Sequence, residues 1–351
     1  MKIACLTGIR QVEIREVPLP RITAPDDVLL RVEVVGVCGS DMHYYRMGRI
    51  GSQVVEFPWS VGHELSGTVA EVGAAVASLK VGDRVAVDPL IPCGGCDQCR
   101  AGRMHTCRKQ KFLGCPGQAS GALAQYVVMP AGCCYRIPDS MSMVLAALVE
   151  PLSIGLYAWR MACAAMAGGR APKSAAILGC GPIGLSVLAA MKGRGGAGTA
   201  AYVTDIRDNR LAMAARFGAD WTGNPHRQEV AGGIIEACPE GLDVVFECAG
   251  QQETIDQAIG LLAPGGALLL VGIPEADRVE FSPDTMRRRE LRIFNVRRQN
   301  ECVADAIELA AGDAARIESM ATHHFELSRV KEAFDVVADY RDNVVKAMMH
   351  V

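Results

Sequence analysis

Apolar and polar residues follow two different rhythms along this chain. Up to about residue 150, apolar runs such as VLLRVEVVGV (28–37) and VGDRVAV (81–87) are separated by proline and glycine turns, which predicts a mostly β region. Near Ser174 the rhythm becomes strand, glycine turn and helix in succession: SAAILG, PIGLSVLAAMKG, TAAYVTD and NRLAMAARFG. That alternation predicts a parallel sheet with helices across its faces. DVVFECAG from Asp243 and GALLLVGI from Gly266 read as further strands, with a helix between them over residues 254–262. Gly232 and Gly233 lower helix propensity over residues 227–237. From about Arg297 the chain is expected to return to the first region, with helical patterns over 304–311 and 328–340 and a last strand ending at Val351. The predicted class is therefore α/β plus β. One domain takes residues 1–152 and 297–351, and a doubly wound domain takes residues 153–296.

A length of 351 residues exceeds the usual range of a single core, in keeping with two domains. The formal net charge of -3 and a pI near 6.2 give no electrostatic reason to bind nucleic acid or an anionic membrane. Small molecules or further copies of the chain are the expected partners. MKIACLTGIRQVEIR is broken by charge before a signal-peptide core can form, and Glu150, Pro151 and Arg160 interrupt the apolar region from Met141 to Gly169. Cytoplasmic residence is the expectation, so the 14 cysteines are read as metal ligands and buried thiols before disulfides.

Two cysteine-bearing patterns carry chemistry. GVCGSDMHYY and VGHE bring a thiol, an imidazole and a carboxylate, Cys38, His63 and Glu64, into one short stretch. Three such ligands can hold a catalytic zinc and leave one position for water or substrate. Glycines beside them suit strand-to-turn corners, and Asp41 is available to orient a ligand. The second pattern is Cys93, Cys96, Cys99 and Cys107, spaced C-x2-C-x2-C-x7-C. Four thiolates on one loop suit a closed, structural tetrahedral zinc; an iron-sulfur cluster also takes four cysteines but would leave the open site and the nucleotide pattern unexplained. Cys5, Cys133, Cys134, Cys163, Cys180, Cys238, Cys248 and Cys302 lack ligand spacing and read as packed thiols. Glu150 stands in the apolar run LVEPLSIG, and a metal or a metal-bound water is the expected partner of a carboxylate buried there.

Gly179-Cys180-Gly181-Pro182-Ile183-Gly184 follows a predicted strand and opens a predicted helix, and Asp205 ends the next strand 21 residues after Gly184. This is the dinucleotide fingerprint in its required context. The helix N-terminus offers unpaired N–H groups to the pyrophosphate. Asp205 should accept from a free ribose hydroxyl and repel a 2'-phosphate, which favours NAD over NADP. Arg207 and Arg210 soften that preference, since an arginine there can stack on adenine or meet a phosphate.

GVCGSD, GHE, the four-cysteine loop and GCGPIG, in this order, resemble the zinc-containing medium-chain dehydrogenase/reductase superfamily over nearly the whole chain. HYYRMGRIG, Glu64 and EPLSIG make the likeness nearest to sorbitol and related polyol dehydrogenases. The resemblance implies a GroES-like β-barrel catalytic domain and a Rossmann domain, usually assembled as tetramers. It places Cys38, His63 and Glu64 at the catalytic zinc, with Glu150 holding the metal directly or through water. It implies substrate contacts at Ser40, Tyr44, Phe112 and Arg297. The chain departs from many polyol dehydrogenases in carrying Arg297-Arg298 where they have an Arg-Tyr pair, and from animal sorbitol dehydrogenases in keeping the four-cysteine loop. A second cation at Arg298 suits a sugar acid such as an idonate beside a neutral polyol.

The expected activity is oxidation of a secondary alcohol of a polyol to a ketone, with hydride passing to NAD and one catalytic and one structural zinc per chain. Zinc acts as a Lewis acid on the alcohol oxygen. Ser40 is expected to receive the alcohol proton and pass it towards His43 or water, with Glu150 as an alternative, water-bound base. Threonine or simple-alcohol oxidation on the same scaffold is the enzymatic alternative. A non-catalytic nucleotide-binding or structural protein is the other, since fold alone does not prove activity.

Overall fold

The computed structural model describes Met1–Val351, which divide into two compact units: Met1–Glu150 with Val303–Val351, and Pro151–Cys302. The first unit is built on a seven-stranded sheet whose long central strand, Asp27–Gly36, is buried except at Asp27, Arg31 and Glu33. It pairs antiparallel with Glu64–Val72 on one side and with Lys346–His350 on the other, and Tyr126–Pro130 also hydrogen-bonds to it. Two register shifts within the Glu64–Val72 pairing bend the sheet. The order continues outward through Arg84–Val87 to Cys134–Arg136 at one edge and through Ala321–Glu326 at the other. Its core holds Leu30, Leu65, Leu123, Met129, Tyr45 and Phe334, all less than 2% exposed.

The sequence expectation lacks the strand Ala321–Glu326 and a helix after Cys38. Cys38 is followed not by a turn but by a helix, Gly39–Met47, which ends on Gly48 at φ +70°. Asp41 at the third helical position accepts the Cys38 N–H at 3.0 Å, one half of a capping box that fixes the helix start at the cysteine. A left-handed glycine after Met47 closes the other end.

The second unit is a six-stranded, all-parallel sheet. Its order is Trp221–Gly223, Ala200–Thr204, Ser174–Leu178, Leu242–Glu247, Leu262–Leu270, Arg292–Asn295. In sequence terms that is 3-2-1-4-5-6, the doubly wound arrangement whose order reverses beside Ser174–Leu178. The strands read as continuous apolar runs because both faces are covered: Ala175, Ala176, Ile177 and Leu178 have no exposure. The predicted helices are present at Pro182–Gly193, Asp208–Arg216 and Gln252–Leu261, and Val230–Ala237 is helical despite its glycine pair. There Glu229 accepts the N–H of Ala231 and Gly232 and so caps the helix start. No helix of the chain is long and apolar enough to cross a membrane.

Candidate functional site

Strand pairing assembles the metal-ligating group. Gly36 lies opposite Glu64 in the antiparallel register, so Cys38, two residues on, comes against His63 and Glu64. One ligand atom from each of Cys38, His63 and Glu64 lies within 4.8 Å of the other two. Asp41 ties two of them together: its carboxylate accepts from Cys38 N at 3.0 Å and from Gly62 N at 3.3 Å, and Oδ1 stands 3.6 Å from His63 Nδ1. With Nδ1 turned to a carboxylate, Nε2 is the nitrogen left to bind a metal.

The charges of this pocket do not balance on their own. Cys38, Asp41, Glu64 and Glu150 bring four acidic groups, the three carboxylates all nearly buried, and Lys346, 2% exposed, is the cation facing them. Lys346 Nζ forms a close ion pair with Glu64 Oε2. Burial works against the Lys346 ammonium, but Glu64 and Cys38 more than offset that and raise its pKa. Desolvation and the Glu64 charge push the Cys38 thiol well above its ordinary value, burial raises Asp41, and burial lifts Glu150 to about 7. Each shift marks an anion short of positive charge. A divalent cation among soft sulfur, imidazole and carboxylate donors supplies it, and that donor set suits zinc.

Glu150 is not one of the three gathered donors, although its charge interacts with those of His63, Glu64 and Lys346. It is 5% exposed and lies in the first turn of the Val149–Ala165 helix rather than before a break, since proline is tolerated in a first turn. Ser40 and His43 stand three apart on the Gly39–Met47 helix and so share a face. The Phe112 ring lies 5.2 Å from the His63 ring. Tyr44 is buried, its hydroxyl 3.2 Å from Gln53 Oε1 and 3.9 Å from Cys115 Sγ.

Cys93, Cys96, Cys99 and Cys107 form a second group with all four sulfurs within 4.8 Å. Cys96 lies 3.6 Å from Cys99 and 3.9 Å from Cys107, close to the edge of about 3.8 Å that a tetrahedron with ~2.3 Å zinc-sulfur arms requires. The N–H groups of Cys93 and Lys109 point to Cys107 Sγ at 3.3 and 3.4 Å. Backbone N–H groups, that of Arg108 foremost, lower Cys96 to about 6, while desolvation and its neighbouring thiols push Cys99 to about 12. A cation lets all four ionise together.

In the second unit the fingerprint lies at the C-terminal end of Ser174–Leu178, beside the point where strand order reverses. Gly179 has φ +94°, and a Cβ on Gly184 would fall 2.1 Å from the Gly179 carbonyl oxygen, so one glycine makes the turn and the other lets helix and turn touch. Gly181 caps the helix that Pro182 and Ile183 begin, and Arg210 Nη1 lies over it. Asp205, 6% exposed, accepts from Cys180 N at 2.7 Å and Arg207 N at 2.9 Å, with Arg210 Nη1 at 3.7 Å.

Residues 24–139 match the alcohol dehydrogenase GroES-like domain and residues 182–312 the zinc-binding dehydrogenase domain. The chain is 36% identical over 351 residues to sorbitol dehydrogenase of Bacillus subtilis (strain 168), covering 100% of this chain and 97% of the relative. The chain belongs to the zinc-containing medium-chain dehydrogenases. L-idonate 5-dehydrogenase of Vitis vinifera is 34% identical over 357 residues, covering 99% of this chain and 94% of that one. The solved alcohol dehydrogenase of Thermus sp. ATN1 superposes with a TM-score of 0.90 at 26% identity, covering 100% of both chains. As a member of this family the protein is an oxidoreductase acting on CH–OH groups, with zinc and a nicotinamide cofactor. Its first unit has the GroES-like fold and its second the Rossmann fold.

Sequence reasoning passes over Lys346, which this medium-chain dehydrogenase pairs with Glu64, and over Gln53 and Cys115, which lie beside Tyr44. Lys346 is a single cation in the apolar run VVKAMMHV, which is its only signal. Gln53 and Cys115 carry none: Cys115 is distant from Tyr44 in the chain, and Gln53 reaches it through a hairpin of two-residue strands. Arg297 follows the last strand of the second unit, Arg292–Asn295.

Proposed function

We propose that this chain is an NAD-dependent zinc polyol dehydrogenase, which oxidises a secondary alcohol to the ketose. The observation that carries the reading is the Cys38, His63 and Glu64 group, three donors of the right chemistry in a pocket with excess negative charge. A zinc ion bound there supplies a Lewis acid for the alcohol oxygen, and a bound nicotinamide supplies the hydride acceptor. The protein's own part is positioning and proton handling. Asp41 holds the His63 ring and the start of the Cys38 helix in one arrangement. Lys346 pairs with Glu64 in a buried place. Ser40 takes the substrate's hydroxyl proton and passes it to His43, with Glu150 as the alternative, water-bound base. Tyr44, Phe112 and Arg297 contact the substrate. Gly179, Gly181, Pro182, Ile183 and Gly184 receive the pyrophosphate, with Asp205 and Arg210 at the ribose.

The names of the relatives support both a neutral polyol and, through the Vitis vinifera enzyme and Arg298, a sugar acid. Metal analysis combined with NAD reduction across sorbitol, xylitol, galactitol, L-idonate, threonine and a simple alcohol decides among them. Activity confined to threonine or simple alcohols, or full activity in metal-free protein, overturns the proposal. Asp205→Ser is expected to raise the NADP:NAD ratio of kcat/KM by roughly tenfold, about 1.4 kcal/mol, because a like charge facing the 2'-phosphate is removed. An unchanged ratio defeats the NAD assignment. Cys99→Ser is expected to lower zinc content from about two to about one per chain and to lower the melting temperature, since a closed thiolate site contributes folding energy. Undiminished zinc content defeats the second, structural site. The reading extends to a homotetramer in the cytoplasm, the former checked by light scattering.

A further inference from the structure

Ala321–Glu326 is the edge strand of the first unit's sheet and runs parallel to Lys346–His350, with Glu326 opposite His350. Side chains alternate along a strand, so His324, Glu326 and His350 share one face of this pair. There two imidazoles meet: His324 Nδ1 lies 3.0 Å from His350 Nε2, with ring centroids 5.2 Å apart. A third contact fixes where the protons are. His324 Nε2 lies 3.2 Å from the Ala321 carbonyl oxygen, which can only accept, so Nε2 carries the proton and Nδ1 of the neutral ring keeps its lone pair. A histidine that donates its second nitrogen to a backbone carbonyl is oriented as metal-ligating histidines are.

We propose that His324 and His350 form a further metal site, which takes a divalent ion of the zinc class through His324 Nδ1 and His350 Nε2. Two zinc-nitrogen arms of ~2.0–2.1 Å at a tetrahedral angle set the nitrogens about 3.3 Å apart, so the rings need to part by only about 0.3 Å. His350 then carries its proton on Nδ1, and none is released. His324 and Glu326 are exposed and His350 half-buried, which leaves the remaining positions to water or to the Glu326 carboxylate. Two protein ligands hold zinc reversibly, so this ion is lost on dialysis while the closed four-cysteine group keeps its own. The bound ion would clip the edge strand to the strand that carries Lys346, and it stabilises the fold because it binds only where the two strands are paired.

The test titrates zinc chloride, by calorimetry, into full-length enzyme that has been loaded with zinc and then dialysed. The native chain is expected to take up one further zinc, and its melting temperature to rise as that zinc is added. His324→Ala and His350→Ala are each expected to weaken the uptake by about tenfold or more and to abolish the rise, because one imidazole remains. His324 is exposed, so its replacement should leave melting without added zinc unchanged. His323→Ala is the control. That ring lies on the opposite face, stacked by Phe325 with Nδ1 at 3.0 Å from Thr322 Oγ1, and its loss is expected to hold the uptake within about twofold of native. No further zinc in the native chain leaves the two rings as a hydrogen-bonded pair and overturns the inference. Uptake that survives in both His324→Ala and His350→Ala, or that His323→Ala weakens equally, overturns it too. None of these outcomes bears on the dehydrogenase reading, which rests on other residues.

Discussion

Replacing Cys38 by alanine is expected to reduce turnover by roughly a thousandfold or more while leaving NAD binding detectable. Lewis-acid stabilisation of a developing alkoxide contributes several kcal/mol, and each ~1.4 kcal/mol is a factor of ten in rate. Cys38 lies in the first unit with His63 and Glu64, whereas the fingerprint from Gly179 to Gly184 belongs to the second, so cofactor affinity has a separate origin. Zinc content should fall by about one per chain, with the four-cysteine group retaining its ion. Steady-state kinetics, metal analysis and fluorescence titration with NADH check the three parts together. Native activity in Cys38→Ala would end the metal-centred mechanism.

A second large effect is expected from Lys346→Met. Removing one member of a buried ion pair leaves the other uncompensated, which costs about 3–5 kcal/mol. Glu64 is 1% exposed and cannot regain water without opening the sheet. The loss should be greatest in metal-free protein, because a bound divalent cation stabilises the same carboxylate. Added zinc is therefore expected to raise the melting temperature of Lys346→Met more than that of the native chain, as linkage requires of a ligand that relieves the unpaired charge. The contribution of the four-cysteine group is common to both proteins and drops out of the comparison. Glu64→Gln combined with Lys346→Met should recover much of the metal-free stability, since a neutral pair has no stranded charge. Equal stabilisation by zinc in both chains would show that Lys346 does not balance Glu64.

How far the sequence disclosed this depends on whether a signal was local. The strand, glycine turn and helix running from Ser174 through Pro182–Gly193 were legible because periodicity, the glycines and the N1 proline all lie within one window. Ligand types and spacing disclosed both cysteine groups for the same reason. The Gly39–Met47 helix was obscured by glycine, serine and aspartate at its start, residues that also favour turns. Its signal was Asp41 three residues after Cys38, a capping pattern with cysteine in the unusual first place. The strand Ala321–Glu326 was missed because its ATHHFE sequence has only one fully buried position, Phe325. Lys346 was missed because its partner lies across the sheet, where only register, not sequence, places it. The Tyr44 and Gln53 contact needed a hairpin of two-residue strands, which leaves almost no pattern.

The strand that carries Lys346 has a consequence for how the enzyme is made. Val303–Val351 completes the first unit only after the whole of Pro151–Cys302 has been translated. The nucleotide half can therefore mature on the ribosome as an uninterrupted stretch of polypeptide, while the other unit waits with Val34–Gly36 of its central strand unpaired on one side. During that interval Glu64 lacks its lysine, and a captured metal ion is the other source of positive charge for it.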